Sequence, residues 1–439
     1  MNIHIFQSHE GDCLMVEDAA GKHRILCDGG SEAAMRHRIA KELAQWAVDD
    51  KEIDLLYVSH IDADHIGGVF VMLDAMAQWK VYDINQADGD PSAEPELPRQ
   101  PKVHNIWHNA FRDIVKDNVG KIESLLAASA PMLQASQVHE LQHLGHDYAQ
   151  IATSVPQAIK VSRLIKPDIL DIGLNQLPNN KKHSGKLLMA RDKQNDEQIG
   201  SLTVSILCPT QDELDNLRTG WNAWLDTEAS QKSLEKARNY YAVGLNASNP
   251  FAQGNPIDLH KWNGVAAYKQ VTAPNVASTV LMVEEEDGKR LLLTGDNHPD
   301  MIVAGLEYGG YLDNGYVHVD VLKYPHHGSE HNITSDFSRQ VSADHYIFCG
   351  NGSSGNPDLR VLEQMIQARV GPAKLRALAP KAKDRPFTFW FSTSPKAANT
   401  EAFKLHMKNL ADWARKMEAK HGNVFSARFS DEPYITLAP

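Results

Sequence analysis

The chain has 439 residues, 42% hydrophobic and 23% charged, a balance that excludes an extended disordered polypeptide. Its 44 basic and 56 acidic residues leave a formal net charge of −12, which excludes nucleic-acid binding by bulk attraction. A phosphate-bearing substrate would need a local basic patch or a metal.

The chain opens with β structure. Asn2 to Ser8 and Cys13 to Glu17 are short strand-like runs, and the turn Ala20-Gly21-Lys22 leads into Arg24 to Cys27. Gly29-Gly30 ends that run. Ser31 then caps a helix from about Glu32 to Ala47, with Met35, Ile39, Leu43 and Trp46 at helical spacing. Ile53 to Ser59 is nearly all apolar and of strand length, so it is expected to be buried on both faces. The polar segment His60-Ile61-Asp62-Ala63-Asp64-His65 follows at once, and Ile66 to Gln78 reads as a helix. A strand, a polar loop and a helix in succession are a usual setting for functional residues in α/β folds.

From about 79 to 200 the pattern loosens. Asp88 to Pro101 reads as an exposed loop and Lys102 to Trp107 as a strand. Asp113 to Ala128 and Val155 to Ile165 read as helices, and Asn179 to Lys186 is polar and basic. Ser201 to Leu207 is a strand broken by Pro209. Gln211 to about Tyr241 is helical, with Trp221 and Trp224 at i, i+3, and Asn246 to Ala273 is loop-like. The core resumes with a hairpin, Ala277 to Glu284 and Lys289 to Thr294, around Asp287-Gly288. Strands are expected at Val317 to Tyr324, His345 to Cys349 and Phe387 to Phe391, with a helix from Asp358 and a closing helix from Ala402 to Lys420. The expected organisation is a single domain over 1–439. Insertions fall at about 80–200 and 211–272, the core resumes at 273–395, and a C-terminal helix lies at about 400–420.

The four cysteines, Cys13, Cys27, Cys208 and Cys349, form no Cys-x-x-Cys pair and read as buried reduced thiols. The start, Met1 to Gln7, lacks the basic and long apolar regions of a signal peptide, and no run approaches the ~18 apolar residues of a membrane span. A cytoplasmic protein without membrane association is expected.

Three polar clusters each follow a strand-like run. The first, His60, Asp62, Asp64 and His65, sets four ligand-type side chains within six positions, which suits zinc, manganese or iron. Its alternative is a charged loop capping a helix, with Asp64 at the N-cap. The second is Asp296 in Leu291-Leu292-Leu293-Thr294-Gly295-Asp296, alternatively a simple turn. The third is the pair His326-His327 in Lys323-Tyr324-Pro325-His326-His327-Gly328-Ser329, alternatively an exposed loop pair.

Taken together and in this order, the clusters resemble the metallo-β-lactamase superfamily. Its H-x-[HD]-x-D-H motif is matched by His60, Asp62, Asp64 and His65, its first Asp by Asp28, its bridging Asp by Asp296 and its last His by His326 or His327. The soluble domain of the competence DNA-uptake channel protein is the most similar branch. Glu10-Gly11-Asp12 resembles its Gly-x-Gly-Asp opening, Asp62 stands where most families have His, and the Leu-Leu-Thr-Gly-Asp and Lys-x-Pro-His-His-Gly-Ser runs are similar. Gly355-Asn356-Pro357 departs from that branch's Gly-His-Pro. No single residue stands out for the third motif. His108 is the best placed, with His104 and the group His139, His143 and His146 as alternatives.

The resemblance implies an α/β (α+β) fold, a four-layer αββα sandwich with two insertions. It implies two zinc ions, with manganese as an alternative. His60, Asp62 and the third-motif residue would hold one ion, Asp64, His65 and one of His326 or His327 the other, and Asp296 would bridge them. Asp28 would orient ligands from behind, and Asp64, Asp28 and Lys323 are the candidate catalytic residues, Lys323 as a contact for a phosphate or else a strand-edge charge. A metal-bound hydroxide would then hydrolyse a phosphodiester in a nucleotide or single-stranded nucleic acid. The alternatives are a lactone or thioester hydrolase and a metal-bound non-enzymatic scaffold. The insertions offer surface for a protein partner, with Trp221 and Trp224 either as anchors or as core packing.

Overall fold

In a computed structural model of the chain, the described residues are 1–90, 92–109, 157–158, 160–190, 196–210, 278–329 and 334–439. Two sheets face each other. The first runs in the order β15-β1-β2-β3-β4-β5-β6 and the second β14-β13-β12-β11-β10-β9-β8-β7. In chain order the strands of the first sheet are β1 (Asn2–Phe6), β2 (Leu14–Glu17), β3 (Arg24–Cys27), β4 (Ile53–Tyr57), β5 (Val103–Trp107), β6 (Gly173–Leu174) and β15 (Tyr434–Leu437). Those of the second are β7 (Glu197–Ile199), β8 (Leu202–Cys208), β9 (Val280–Glu285), β10 (Arg290–Leu293), β11 (Val317–Lys323), β12 (Val341–Phe348), β13 (Phe387–Phe391) and β14 (Phe425–Phe429).

Strand periodicity explains the layering. On β3 and β4, Ile25, Cys27, Leu55 and Tyr57 point inward and meet Leu281, Val283, Leu291, Leu293 and Val321 of the second sheet. Their neighbours Leu26 and Leu56 point outward onto α1 (Glu32–Ala34), α2 (Ala40–Val48) and α3 (Ala63–Ala87). The nearly continuous apolar run of β4 is therefore buried on both faces. The outer face of the second sheet, including Leu292, Leu322, Phe348 and Phe389, packs on α4 (Pro299–Tyr308), α5 (Ser335–Gln340), α6 (Leu359–Val370) and α7 (Glu401–His421). The result is four layers, αββα, as expected.

Several details differ from the sequence reading. The helix after the polar segment starts at Ala63 and runs to Ala87, well past Gln78, and its N-cap position is Asp62, not Asp64. Helices α4 and α5 are capped by the side chains of His298 and Thr334. Strands β14 and β15 were not anticipated; β15 pairs with β1 from the other end of the chain. Strands β5, β6 and β7 lie between residues 80 and 200 and extend both sheets. The expected helices at 113–128 and 211–241, and Trp221 and Trp224, lie outside the described residues.

Candidate metal centre

Register brings the motifs together. Strands β3, β4 and β5 are parallel, with Cys27 opposite Tyr57 and Tyr57 opposite Trp107. The residues that follow them, Asp28, the Ser59-His60 pair and His108, therefore leave the same edge of the first sheet. In the second sheet β10 and β11 are parallel, with Leu293 opposite Lys323, so Asp296 and His326-His327 leave together. The two edges are joined where Thr279 N donates to the Ser59 carbonyl at 2.8 Å. A further loop, between β1 and β2, brings in Asp12, whose carbonyl accepts from Gly30 N at 2.7 Å.

Asp296 Oδ2 lies at the middle of the cluster. It is 3.2 Å from His327 Nε2, 3.5 Å from His65 Nε2, 3.8 Å from His60 Nε2 and 3.9 Å from His326 Nε2. Asp62 Oδ2 is 3.5 Å from His60 Nε2, and Asp64 Oδ2 is 3.4 Å from His327 Nε2. His326 and His327 both have left-handed backbone, φ 47° and 55°. Such a conformation is unfavourable for residues with a Cβ, and here it turns both rings toward Asp296.

The rings are held from behind. His65 Nδ1 is 2.9 Å from Asp28 Oδ2, and a carboxylate only accepts, so Nδ1 carries a proton and Nε2 is the ring nitrogen turned to the middle. The single Ser59 hydroxyl proton goes to Asp28 Oδ2 at 2.7 Å, so His60 Nδ1–H donates to Ser59 Oγ at 3.0 Å, and His60 Nε2 likewise faces the middle. Asp28 itself, at φ 57°, is fixed by Ser59 N donating to Oδ1 at 2.7 Å. It stands directly behind the His65 ring.

Charge balance tests whether a cation fits. Asp12, Asp28, Asp62, Asp64 and Asp296 are all buried, and Lys323 is the only Lys or Arg that any of them pairs with among the described residues. Buried carboxylates without counter-charge cost several kcal/mol each. Burial alone would lower the His65 and His327 pKa values, but Asp296 above all, with Asp12 and other carboxylates, holds both well above the ordinary range. The pocket favours positive charge. Several buried donors also have no hydrogen-bond partner: His60 Nε2, Asp62 Oδ1 and Asp64 Oδ1. One donor atom each from Asp12, His65, Asp296 and His327 lies within 4.8 Å of the others. Orphaned buried donors of mixed imidazole and carboxylate type fit one or more divalent cations.

Lys323 takes neither of its two expected roles. It is 1% exposed, so it is no strand-edge charge. Its ammonium is ion-paired with Asp12, donates to the Gly295 carbonyl at 3.0 Å and lies 3.5 Å from Asp296 Oδ1, which leaves no donor for a phosphate. Asp12 was the residue not assigned a role from sequence; its signal was the Glu10-Gly11-Asp12 turn.

His108 sits buried at the end of β5 with both ring nitrogens unpartnered, and burial lowers its pKa to about 4. Its backbone is clamped by Asn175, which accepts from His108 N at 2.8 Å and donates to His108 O at 3.0 Å. His104 is instead on the surface, 2.7 Å from Glu52, away from this cluster. His139, His143 and His146 lie outside the described residues.

Residues 9–120 match the family model described as the metallo-beta-lactamase superfamily, a span that holds Asp12, Asp28, the His60–His65 segment and His108. Over that span the chain matches a metallo-β-lactamase superfamily domain. Among solved structures it is similar to a metallo-beta-lactamase from Cronobacter sakazakii with a HARLDQ motif, at 8% identity, 94% coverage of each chain and a TM-score of 0.23. A mutant of that motif gives 8% identity, covers 95% of this chain and 94% of the other, and has a TM-score of 0.24. Likenesses at that level say nothing of the chemistry here. No curated protein matches the chain. No helix among the described residues is long and apolar enough to cross a membrane.

Proposed function

We propose that the chain is a metal-dependent hydrolase acting on a phosphodiester of a nucleotide or single-stranded nucleic acid. The observation that carries the hydrolase reading is the convergence of His60, His65, His326 and His327 Nε2 on Asp296 Oδ2, with orphaned carboxylate oxygens of Asp62 and Asp64 beside them. His60, Asp62 and His108 would hold one ion, Asp64, His65 and His327 another, with Asp296 between them. A divalent ion bound there supplies a Lewis acid for the scissile oxygen and makes its water acidic enough to react near neutral pH. Asp28 and Ser59 keep the rings aimed, and burial keeps His108 neutral and able to ligate. Zinc suits the imidazoles; Asp62 in place of a His adds a hard oxygen donor and favours manganese as the alternative.

Two features support a phosphodiester. The Asp62 variant of the motif and the Lys-x-Pro-His-His-Gly-Ser run resemble the competence-protein branch. In addition, the loop holding exposed Lys181, Lys182 and Lys186 is tied to the site, because Asn175 Nδ2 donates to both Lys186 O and His108 O at 3.0 Å. That loop offers the local basic patch that an acidic protein needs for a phosphate backbone.

The test is hydrolysis of bis(p-nitrophenyl) phosphate and a short single-stranded oligonucleotide by zinc- or manganese-loaded protein, with a lactone in parallel. Turnover of the esters, lost in Asp64→Ala, supports the reading. Turnover of the lactone alone transfers it to carbonyl substrates, and a metal-loaded protein that cleaves none of the three is no hydrolase of this kind.

A further inference from the structure

His65 and His327 approach the centre as a pair built on the same plan. Their Nε2 atoms are 3.3 Å apart, and each lies within 3.5 Å of Asp296 Oδ2. Behind His65 stands Asp28, 2.9 Å from Nδ1. Behind His327 stands Asp12, its Oδ1 3.1 Å from Nδ1. Both of these atoms are buried and neither makes a hydrogen bond, so their contact is that of an ion pair.

By distance alone Asp12 belongs with the metal-binding donors. Its two oxygens are nonetheless engaged elsewhere. Oδ1 faces His327 Nδ1, and Oδ2 is ion-paired with the Lys323 ammonium. Lys323 is anchored in turn by the Gly295 carbonyl at 3.0 Å, one residue before Asp296. To ligate a cation, Asp12 would have to bring it beside a buried ammonium or abandon that ion pair, and separating a buried pair is strongly unfavourable. The Asp12 backbone is just as firmly placed: its carbonyl accepts from Gly30 N, two residues beyond Asp28. The two orienting carboxylates therefore come from loops bonded to each other.

We propose that Asp12 is a positioning residue for His327 and not a metal ligand, with Lys323 as the counter-charge that holds it in place. The carboxylate grips Nδ1 so that Nε2 faces Asp296, as Asp28 does for His65. Lys323 neutralises this non-ligating carboxylate and leaves Asp62, Asp64 and Asp296 for the cations. The inference rests on the metal-centre reading above.

Zinc affinity by chelator competition, the absorption spectrum of the cobalt(II)-substituted protein and the melting of the metal-free chain test it, in wild type, Asp12→Asn and Asp12→Ala. The isosteric Asn variant guards against simple misfolding. A positioning role predicts a graded loss. Asp12→Ala binds zinc about 10- to 100-fold more weakly, and Asp12→Asn falls between it and wild type because its amide oxygen still accepts from Nδ1. The cobalt band, whose intensity follows coordination number, is unchanged in both. If Asp12→Asn is as poor as Asp12→Ala and the cobalt band changes, Asp12 is a ligand and the proposal fails. If both variants melt lower but bind zinc as wild type does, the role is packing alone and the proposal fails. Wild type that binds no metal fails at an earlier step and overturns the metal-centre reading itself.

Discussion

His65 Nε2 and His327 Nε2 face each other across 3.3 Å, each ring with a carboxylate behind its Nδ1. If each ring carries its one proton on Nδ1, the lone pairs of two nitrogens meet beside an oxygen, Asp296 Oδ2. Only a proton or a cation between them makes that arrangement favourable. Zinc or manganese should therefore raise the melting temperature of the chelator-treated protein. At a hundredfold excess over Kd the gain is about 2.7 kcal/mol. Asp296→Ala, which removes the shared oxygen, should abolish the shift. Scanning calorimetry with and without metal checks this, and coincident melting curves for the wild type would contradict it.

Ser59 offers a second test, because its hydroxyl links Asp28 to His60 and lies 3.4 Å from His65 Nδ1. It donates to Asp28 Oδ2 and accepts from His60 Nδ1. Ser59→Ala should cost the metal-free protein about 1 kcal/mol, the ordinary contribution of a buried hydrogen bond. It should also weaken metal binding by about tenfold, the low end for losing a group that orients a ligand. Urea denaturation and chelator competition separate the two effects. A loss of stability with unchanged affinity would mean that His60 is aimed by packing and not by Ser59.

The parts of this site that were legible in the sequence are those that depend on local order. His60 to His65 lie in one segment, and Asp28, His108, Asp296 and the His326-His327 pair each follow a strand, so parallel register alone brings them side by side. Asp12 and Lys323 were harder, because each takes its meaning from the other, far away in sequence. A lysine at the end of an apolar run looks like an edge charge until Asp12 is seen beside it. The same holds for β15, a four-residue strand whose partner β1 is at the other end of the chain. Strand β4 was readable because its neighbours cover both faces with apolar side chains, which writes the burial into every residue but Asp54.

Away from the site, Asp344 sets part of the acid stability. Burial would raise its pKa, but the hydrogen bond from His318 Nε2 at 3.2 Å and the ion pair with Arg385 outweigh it, and the carboxyl is held below its ordinary value. A depressed folded-state pKa stabilises the fold above the unfolded value and loses that contribution as pH falls through the folded one. Asp344→Asn should cost about 1.5 to 3 kcal/mol at pH 7, the range for a hydrogen bond to a charged group. The difference from wild type should shrink below about pH 4. Urea titrations at pH 7, 4 and 3 check the trend, and a constant difference across them would show that the carboxylate charge is not the source.

Gly11 is where the fold and the site depend most directly on one atom. A Cβ there would lie 1.6 Å from the Asp64 carbonyl oxygen and 2.5 Å from its carbon. These are backbone atoms at the start of α3, and they have little room to move, since Gly29 N donates to His65 O at 2.9 Å and Gly68 N to Gly30 O at 2.8 Å. Gly11→Ala must therefore push the β1–β2 loop outward and carry Asp12 with it. Overpacking of this kind costs about 1 to 3 kcal/mol, occasionally more. Displacement of Asp12 should add a loss of metal affinity at least as large as that of Asp12→Ala, together with the loss of any hydrolytic activity. Melting temperature, bound metal per chain and hydrolysis measured on one preparation distinguish a moved loop from a globally weakened fold. A moved loop lowers metal content at temperatures where the protein is still folded. Full metal content in a folded Gly11→Ala protein would mean that the loop yields without disturbing His327, so that the close approach of Gly11 to Asp64 serves packing alone.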